Sequence, residues 1–374
     1  MSVRVRDIEL ALATRFPPER AEGWDRVGLL AGDPERVVTG VMLALDPTRE
    51  AIRSAVRSGA NVLVTHHPAF LEMPASLSPG PGPSGVLFSA LDASVALINA
   101  HTNLDRDAEA QRLLPEMLGL HPLSPLERGL QSMSVVTVYA PVGAESAITG
   151  AMIGAGAGRI GDYEGCSFAS RGSGSFTPSP SSHPAVGEPG APSTADEVRI
   201  EMVCPRGSSK AVVAAAVSAH PYEEPLVTVS EVSIALNAAS IGMVNEVALG
   251  SSLTLERLAR VAAERFGAMP RVWGDPESLV SRVVTSTGSA GSFIPDALRA
   301  GAAALVAGEV RYHDALDAVE NGLAIVELGH DVSEWPLVAL LERAVRSVAG
   351  IDQESVRTLP ARPGWWVPAP EGNR

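Results

Sequence analysis

The sequence predicts an α/β protein in which two related halves form one metal-binding unit, with a further segment inserted between them. Three observations carry this reading. Short apolar runs alternate with helix-like segments along the chain. A stretch near the start reappears far downstream. Histidines and carboxylates gather where the apolar runs end.

The elements follow in order. Val37–Leu45 is apolar, β-branched and short enough for a buried strand. Residues 49–58 place Ile52, Ala55 and Val56 on one helical face, and Gly59 stops that helix. Asn61–Thr65 is the next strand. Strand, helix, strand at this spacing is a βαβ unit and implies a mostly parallel sheet. Ala96–Ala100 and Leu323–Leu328 are further apolar strands. Residues 52–64 can be laid over 294–306 without a gap. Ile52/Ile294, Ala55/Ala297, Arg57/Arg299, Gly59/Gly301, Ala60/Ala302, Leu63/Leu305 and Val64/Val306 are identical pairs. Their separation is too large for tandem repeats, so something is inserted between two duplicated units. The middle stretch holds strand-like segments at Val135–Tyr139, Val198–Val203 and Val227–Val232, and an alanine-rich helix before His220. Ser, Gly and Pro fill 171–194, which reads as a mobile loop. Residues 78–85 read as a second loop. The division expected is 1–130 for the first half, 131–235 for the insertion and 236–374 for the second half.

Composition excludes several functions. The chain has 374 residues, 45% of them apolar, so global disorder is excluded. Asp and Glu outnumber Lys and Arg 43 to 29, a net charge of -14 that repels phosphate backbones and anionic membranes. Neither nucleic acid nor membrane is therefore an expected partner. Cys166 and Cys204 form neither a disulfide framework nor a cysteine zinc cluster, and are expected as buried thiols. The first sixteen residues lack the apolar core of a signal peptide, and no run is long enough to span a membrane. A soluble cytoplasmic protein is the expectation.

The chemistry is expected at strand ends, where open α/β sheets bind ligands. His66-His67 closes one strand. His101 closes the next and is followed by Asp105. His330 follows a third and precedes Glu334. Imidazole nitrogen and carboxylate oxygen suit zinc, manganese, iron, cobalt or nickel. Two divalent cations per chain are expected, held by His66, His67, Asp105, His330 and Glu334. A carboxylate between cations roughly 3.5–4 Å apart suits water activation. His330 and Glu334 are four apart and share a helical face if the helix begins early; Ser333 is a fair N-cap, with Pro336 in the first turn. His101 is open between a sixth ligand and a hydrogen-bond donor behind the ligands; His101, as a proton shuttle, and Glu334 are the expected catalytic residues. A single histidine at a strand end is more often structural; here several coincide. His121 and His183 lie in Pro-rich contexts and are expected to be solvated. Gly156-x-Gly158-x-x-Gly161 matches a dinucleotide fingerprint by letter but follows a helix-like stretch, so it reads as a helix stop and turn. Glu223-Glu224 beside His220 reads as a surface loop.

The motifs WDRVGLLAGDP (24–34), LDPT (45–48), VTHHP (64–68), HTNLD (101–105), GEVRYHDAL (308–316) and GHDVSE (329–334) carry a family resemblance. In order and spacing they resemble the GTP cyclohydrolase 1 type 2 homologues, also called Ngg-interacting-factor-like or dinuclear metal centre hexameric proteins. The middle stretches at 158–176 and 219–225 are similar to the domain inserted in longer bacterial members, and HPYEEP is similar to the PII/CutA-like ferredoxin folds. The resemblance implies that His66, His67, Asp105, His330 and Glu334 are metal ligands and that His101 lines the same site. It implies a toroidal homohexamer, an inserted ferredoxin-like domain, and hydrolysis of a purine ring in a small-molecule substrate such as GTP. Regulatory metal-binding scaffolds and phosphoester hydrolases are the alternatives it leaves. This chain departs from the pattern at Arg26, where Asn is common, and at Asp331, where Tyr is usual.

Overall fold

A computed structural model describes residues 2–127, 130–161, 163–235, 240–247 and 253–361. The expected boundary at 236 and the stretch 362–374 lie outside the described residues. The chain divides into two compact units, Met1–Arg128 with Ser240–Arg374, and Gly129–Ala239. The architecture is mixed α/β, as expected.

The first part of the larger unit runs α1 (Val5–Arg15), β1 (Gly28–Ala31), β2 (Val41–Ala44), α2 (Arg49–Arg57), β3 (Val62–Thr65), α3 (Gly82–Asp92), β4 (Ala96–Asn99), α4 (Thr102–Asp105), α5 (Ala110–Leu118) and β5 (His121–Glu127). The smaller unit follows: β6 (Leu130–Pro141), α6 (Glu145–Gly154), β7 (Phe168–Phe176), β8 (Ser193–Pro205), α7 (Ser209–Ala219) and β9 (Val227–Ala235). The larger unit then resumes with β10 (Ile241–Glu246), α8 (Leu255–Phe266), β11 (Arg271–Trp273), β12 (Arg282–Thr285), α9 (Ile294–Arg299), β13 (Ala304–Ala307), α10 (Tyr312–Glu320), β14 (Ala324–Glu327), α11 (His330–Glu334), α12 (Val338–Arg346) and β15 (Val356–Thr358).

The larger unit holds two sheets, ordered β1-β4-β3-β2-β15 and β11-β14-β13-β12-β10-β5. In each, three central strands are parallel and an antiparallel strand closes one edge, β1 beside β4 and β11 beside β14. The duplicated stretches coincide in the fold, because α2 with β3 and α9 with β13 occupy matching places. Strands buried on both faces need apolar residues at successive positions. That is why Val62–Thr65 and Ala304–Ala307 are buried throughout. Val62 and Val64 face a core built with α1 and α12, while Leu63 faces α2 and α3. Val306 faces a core built with α5 and α8, and Leu305 faces α9 and α10. The helices after the third parallel strand of each part have thus changed places: α5 covers the second sheet and α12 the first. This exchange sets the ends of β3, β4 and β14 against one another.

The smaller unit has β-α-β-β-α-β order and one antiparallel sheet, β7-β8-β6-β9. Val136, Val138, Ile200 and Met202 pack under Ile148 and Met152 of α6 and Val212 of α7. Among the described residues no helix is long and apolar enough to cross a membrane.

Several local expectations need correction. The strand in Val37–Leu45 is confined to Val41–Ala44. Val56 is exposed, since α2 lies on its sheet through Ala51, Ile52 and Ala55. Gly82–Gly85, expected as loop, opens α3, where Pro83 occupies the first turn that tolerates it. Arg171–Phe176, expected as loop, is strand and pairs with β8 as far as Phe176 opposite Ser193. An edge strand needs paired backbone rather than alternating apolar residues, so Ser and Gly suffice there. The helix at 330 starts at His330, with Gly329, whose φ of +106° suits glycine, as its N-cap in place of Ser333. Gly156 and Gly158, also at positive φ, follow the end of α6 as expected.

Candidate metal centre

Four strand ends supply the site. His66 and His67 leave β3, His101 and Asp105 bracket α4 after β4, and His330 and Glu334 begin and end α11 after β14. Glu309, two residues beyond β13, stands behind His330. Because α11 starts at His330, that ring and Glu334 lie one turn apart, with Nε2 3.2 Å from Oε2. His67 Nε2 is 2.8 Å from the same oxygen and His66 Nε2 3.9 Å. Asp105 Oδ1 is 3.6 Å from His66 Nε2. Two donors on one tetrahedral cation stand about 3.3 Å apart, so these separations fit ligation.

The ring orientations are fixed from behind. His66 Nδ1 donates to Ala100 O at 2.9 Å, His67 Nδ1 to Asp46 Oδ1 at 2.8 Å, His101 Nδ1 to Asp25 Oδ1 at 2.9 Å and His330 Nδ1 to Glu309 Oε1 at 3.0 Å. Each partner is an oxygen that can only accept, so the hydrogen sits on Nδ1 and Nε2 is left for another partner. Metal-binding histidines have this arrangement. His66 is fully buried, and its Nε2 finds no hydrogen-bond partner among the described residues. Leaving such an atom unpaired costs about 1–3 kcal/mol, which a cation at that point would offset.

Three overlapping groups lie close enough to hold a cation: His67, His330 and Glu334; His66, Asp105 and Glu334; and His66, His67 and His101. The buried cluster can therefore hold metal ions, and Glu334 belongs to two of its groups. A glycine makes room for that carboxylate. Gly288 has φ +61°, and a Cβ there would sit 2.3 Å from Glu334 Oε1.

Electrostatics agree with a cation site. Burial pushes the His66 imidazole down to about 3, keeping it neutral. Burial also opposes charge on His67, but its bonds to Asp46 and Glu334 prevail and hold it up to about 10. His330 is raised to about 9 by Glu334 and, against burial, by Glu309. Glu334 lies below the usual carboxylate range because bonds from His330 and His67 outweigh its burial. Asp105 is pushed up by burial and by the charge of Glu334. Asp25, despite burial, is held at about 2 by His101 and by Thr102. Carboxylates thus surround the rings, and protons occupy positions that cations would take.

The sequence profile of Duf34/NIF3 (NGG1p interacting factor 3) matches residues 3–359. The chain belongs to the Duf34/NIF3 family. It is 32% identical to a GTP cyclohydrolase 1 type 2 homolog of Mycobacterium leprae, over 98% of this chain and 96% of that one. A protein of the same description from Bacillus subtilis is 32% identical, over 86% and 87%. Among solved structures, a Bacillus cereus protein related to NIF3 superposes with a TM-score of 0.76 at 28% identity, over 98% of this chain and all of the other. A Staphylococcus aureus protein superposes at 0.75 with 25% identity, over 98% and 99%.

All six histidines and carboxylates expected from this NIF3 family sequence meet in one cluster. Sequence pattern alone does not mark Asp25, Asp46, Glu309, Gly288 and Ser333 as supports of the cluster. Their one sequence signal is that Asp25, Asp46 and Glu309 lie within the motifs WDRVG, LDPT and GEVRYHDAL. Ser333 accepts from Gly288 N at 3.0 Å and donates to His330 O at 2.8 Å, fastening α11. Elsewhere, His183 is exposed as expected; His121 is exposed too but lies in β5. His220 is buried, where it donates to Tyr139 O and accepts from Tyr222 N, a structural role. Cys204 is a buried free thiol, and Cys166 a half-buried one.

Proposed function

We propose that this protein is a cytoplasmic metal-dependent hydrolase that holds two divalent cations per chain and acts on a purine nucleotide such as GTP. One observation carries the reading: four rings backed at Nδ1, with the Nε2 atoms of His66, His67 and His330 within 4 Å of Glu334 Oε2. His67, His330 and Glu334 would hold one cation, and His66, Asp105 and Glu334 the other. Zinc, manganese, iron, cobalt and nickel all suit these donors. Bound cations supply Lewis acidity and make water a better nucleophile near neutral pH. His101, its Nδ1 bonded to Asp25, would move a proton to or from the substrate through Nε2. Asp25 holds that ring in orientation. The name of the relatives, GTP cyclohydrolase 1 type 2 homolog, supports GTP as the substrate class. In this reading the chain assembles as a toroidal homohexamer. The β-α-β-β-α-β order supports a ferredoxin-like, PII/CutA-like fold for the smaller unit.

A second reading is a metal-braced scaffold without catalysis. The observation favouring it is that ligands come from both parts of the larger unit, so cations would staple them together. Glu334→Gln separates the two. Metal per chain, oligomeric state and GTP turnover would be measured in parent and variant. Hydrolysis predicts about two metals in the parent and a drop in turnover of roughly a thousandfold, as expected when several kcal/mol of charge stabilisation are lost, with the assembly intact. Unchanged turnover would remove the site from catalysis, and a dissolved assembly would favour the scaffold. Cleavage of a generic phosphodiester with GTP untouched would move the assignment to phosphoester hydrolysis.

A further inference from the structure

We propose that Trp24 is the face on which a planar nitrogen heterocycle of the substrate stacks beside the metal centre. This rests on the nucleotide reading above and sharpens it. Trp24 leaves 55% of its surface exposed. Its ring lies 6.1 Å from that of His101, at 74°. His101 in turn lies 5.2 Å from the His66 ring and 5.6 Å from the His67 ring. The indole therefore stands at the rim of the cluster.

The loop that carries it is held along its length. Glu22 N donates to Thr102 Oγ1 at 2.9 Å, and Asn99 Nδ2 donates to Arg26 O at 2.8 Å. Between them the buried Asp25 accepts from His101 Nδ1, Thr102 N and Thr102 Oγ1 at 2.9, 3.0 and 2.6 Å. Five hydrogen bonds fix a loop whose aromatic residue faces solvent. A contact surface ordered in advance loses little entropy on binding. A flat, exposed indole is matched best by another flat ring, and stacking accepts any nucleobase because each has a π-face. The same aspartate orients His101 and anchors the Trp24 loop, so ring position and proton transfer would be set by one side chain.

The test uses the full, metal-loaded chain. Equilibrium dialysis would measure binding of GTP and of inorganic tripolyphosphate, which lacks the ring, to the parent, Trp24→Ala and Trp24→Phe. Metal content and oligomeric state are read alongside. Trp24→Ala should weaken GTP binding by roughly tenfold or more and leave tripolyphosphate, metal and assembly unchanged. Trp24→Phe should restore most of the loss, and any turnover defect should lie in KM rather than kcat. Unchanged GTP binding, or equal weakening of both ligands, would overturn the stacking role. Loss of metal would make Trp24 a support for His101, and a changed oligomeric state would make it an interface residue; either also overturns the proposal. A metal-loaded parent that does not bind GTP removes the nucleotide reading and the stacking role together, and that result is distinct because it appears without any substitution.

Discussion

The two halves of the core share strand order and helix placement, yet they bring different chemistry to the same strand ends. After β3 stands His66-His67; after β13, at the matching places, stands Gly308-Glu309. After β4 and β14 the halves agree more closely, with His101 four residues before Asp105 and His330 four before Glu334. The first half supplies three imidazoles. The second supplies one, and uses Glu309 to hold it. Duplication thus decides where side chains meet, and divergence decides what they do. Gly308 shows why the halves cannot be made alike. A Cβ there would lie 2.5 Å from Gly288 O and 2.5 Å from Ser333 Oγ, the hydroxyl that fastens α11.

This comparison can be broken at several levels. If the halves are one fold used twice, Leu63→Ala and Leu305→Ala should cost similar stability. Both side chains are fully buried in central strands, so about 2–5 kcal/mol each is expected in urea unfolding. A large loss at one and none at the other would deny the structural equivalence. Gly308→His, which copies the first half into the second, should destabilise by about 1–3 kcal/mol through overpacking. A variant of parental stability that binds more metal would show that chemistry, not space, keeps glycine there. Next come the carboxylates behind the rings. Asp46→Ala and Glu309→Ala should each weaken metal binding by roughly 10–100-fold in a chelator competition. If only the half-one variant responds, Glu309 is not the counterpart support.

The smallest effect tests where the sheets differ. The first sheet ends in β15, parallel to β2, while the second continues through antiparallel β10 and β5. Glu342 of α12 accepts from Arg346 Nε and from Thr358 Oγ1 of β15, both at 2.8 Å. These bonds hold its carboxyl below the ordinary value against partial burial. A lowered folded pKa gives stability that is present above the unfolded value and lost as pH falls through the folded one. Glu342→Gln should therefore cost no more than about 1 kcal/mol at pH 7. Its difference from the parent should shrink as the pH falls below the ordinary glutamate value, about 4.3, and vanish once the folded carboxyl is protonated. A difference that persists in acid would assign the effect to packing.

Much of this was legible in the sequence, for identifiable reasons. Strands such as NVLVT and LAIVELG are buried on both faces over most of their length, so apolar residues fill successive positions and the strand ends mark the site. The seven matched pairs between 52–64 and 294–306 exposed the duplication. Asp46 and Glu309 were not legible as supports, because any of 43 acidic residues could back a ring and only the fold selects. Val56 failed because helical periodicity shows which residues share a face, not how far the sheet extends beneath it. Arg171–Phe176 failed because backbone pairing at an edge leaves no mark on side-chain pattern.

The order in which the ligands are synthesised has a consequence of its own. His66, His67, His101 and Asp105 leave the ribosome more than two hundred residues before His330 and Glu334. At about 5–20 residues per second, that interval is on the order of tens of seconds. During it the nascent chain carries the histidines and Asp105 but not the carboxylate common to two of the three groups. A cation captured early would be bound without Glu334, and more weakly for that reason. Full use of the cluster as a cation site would thereby require completion of the second half.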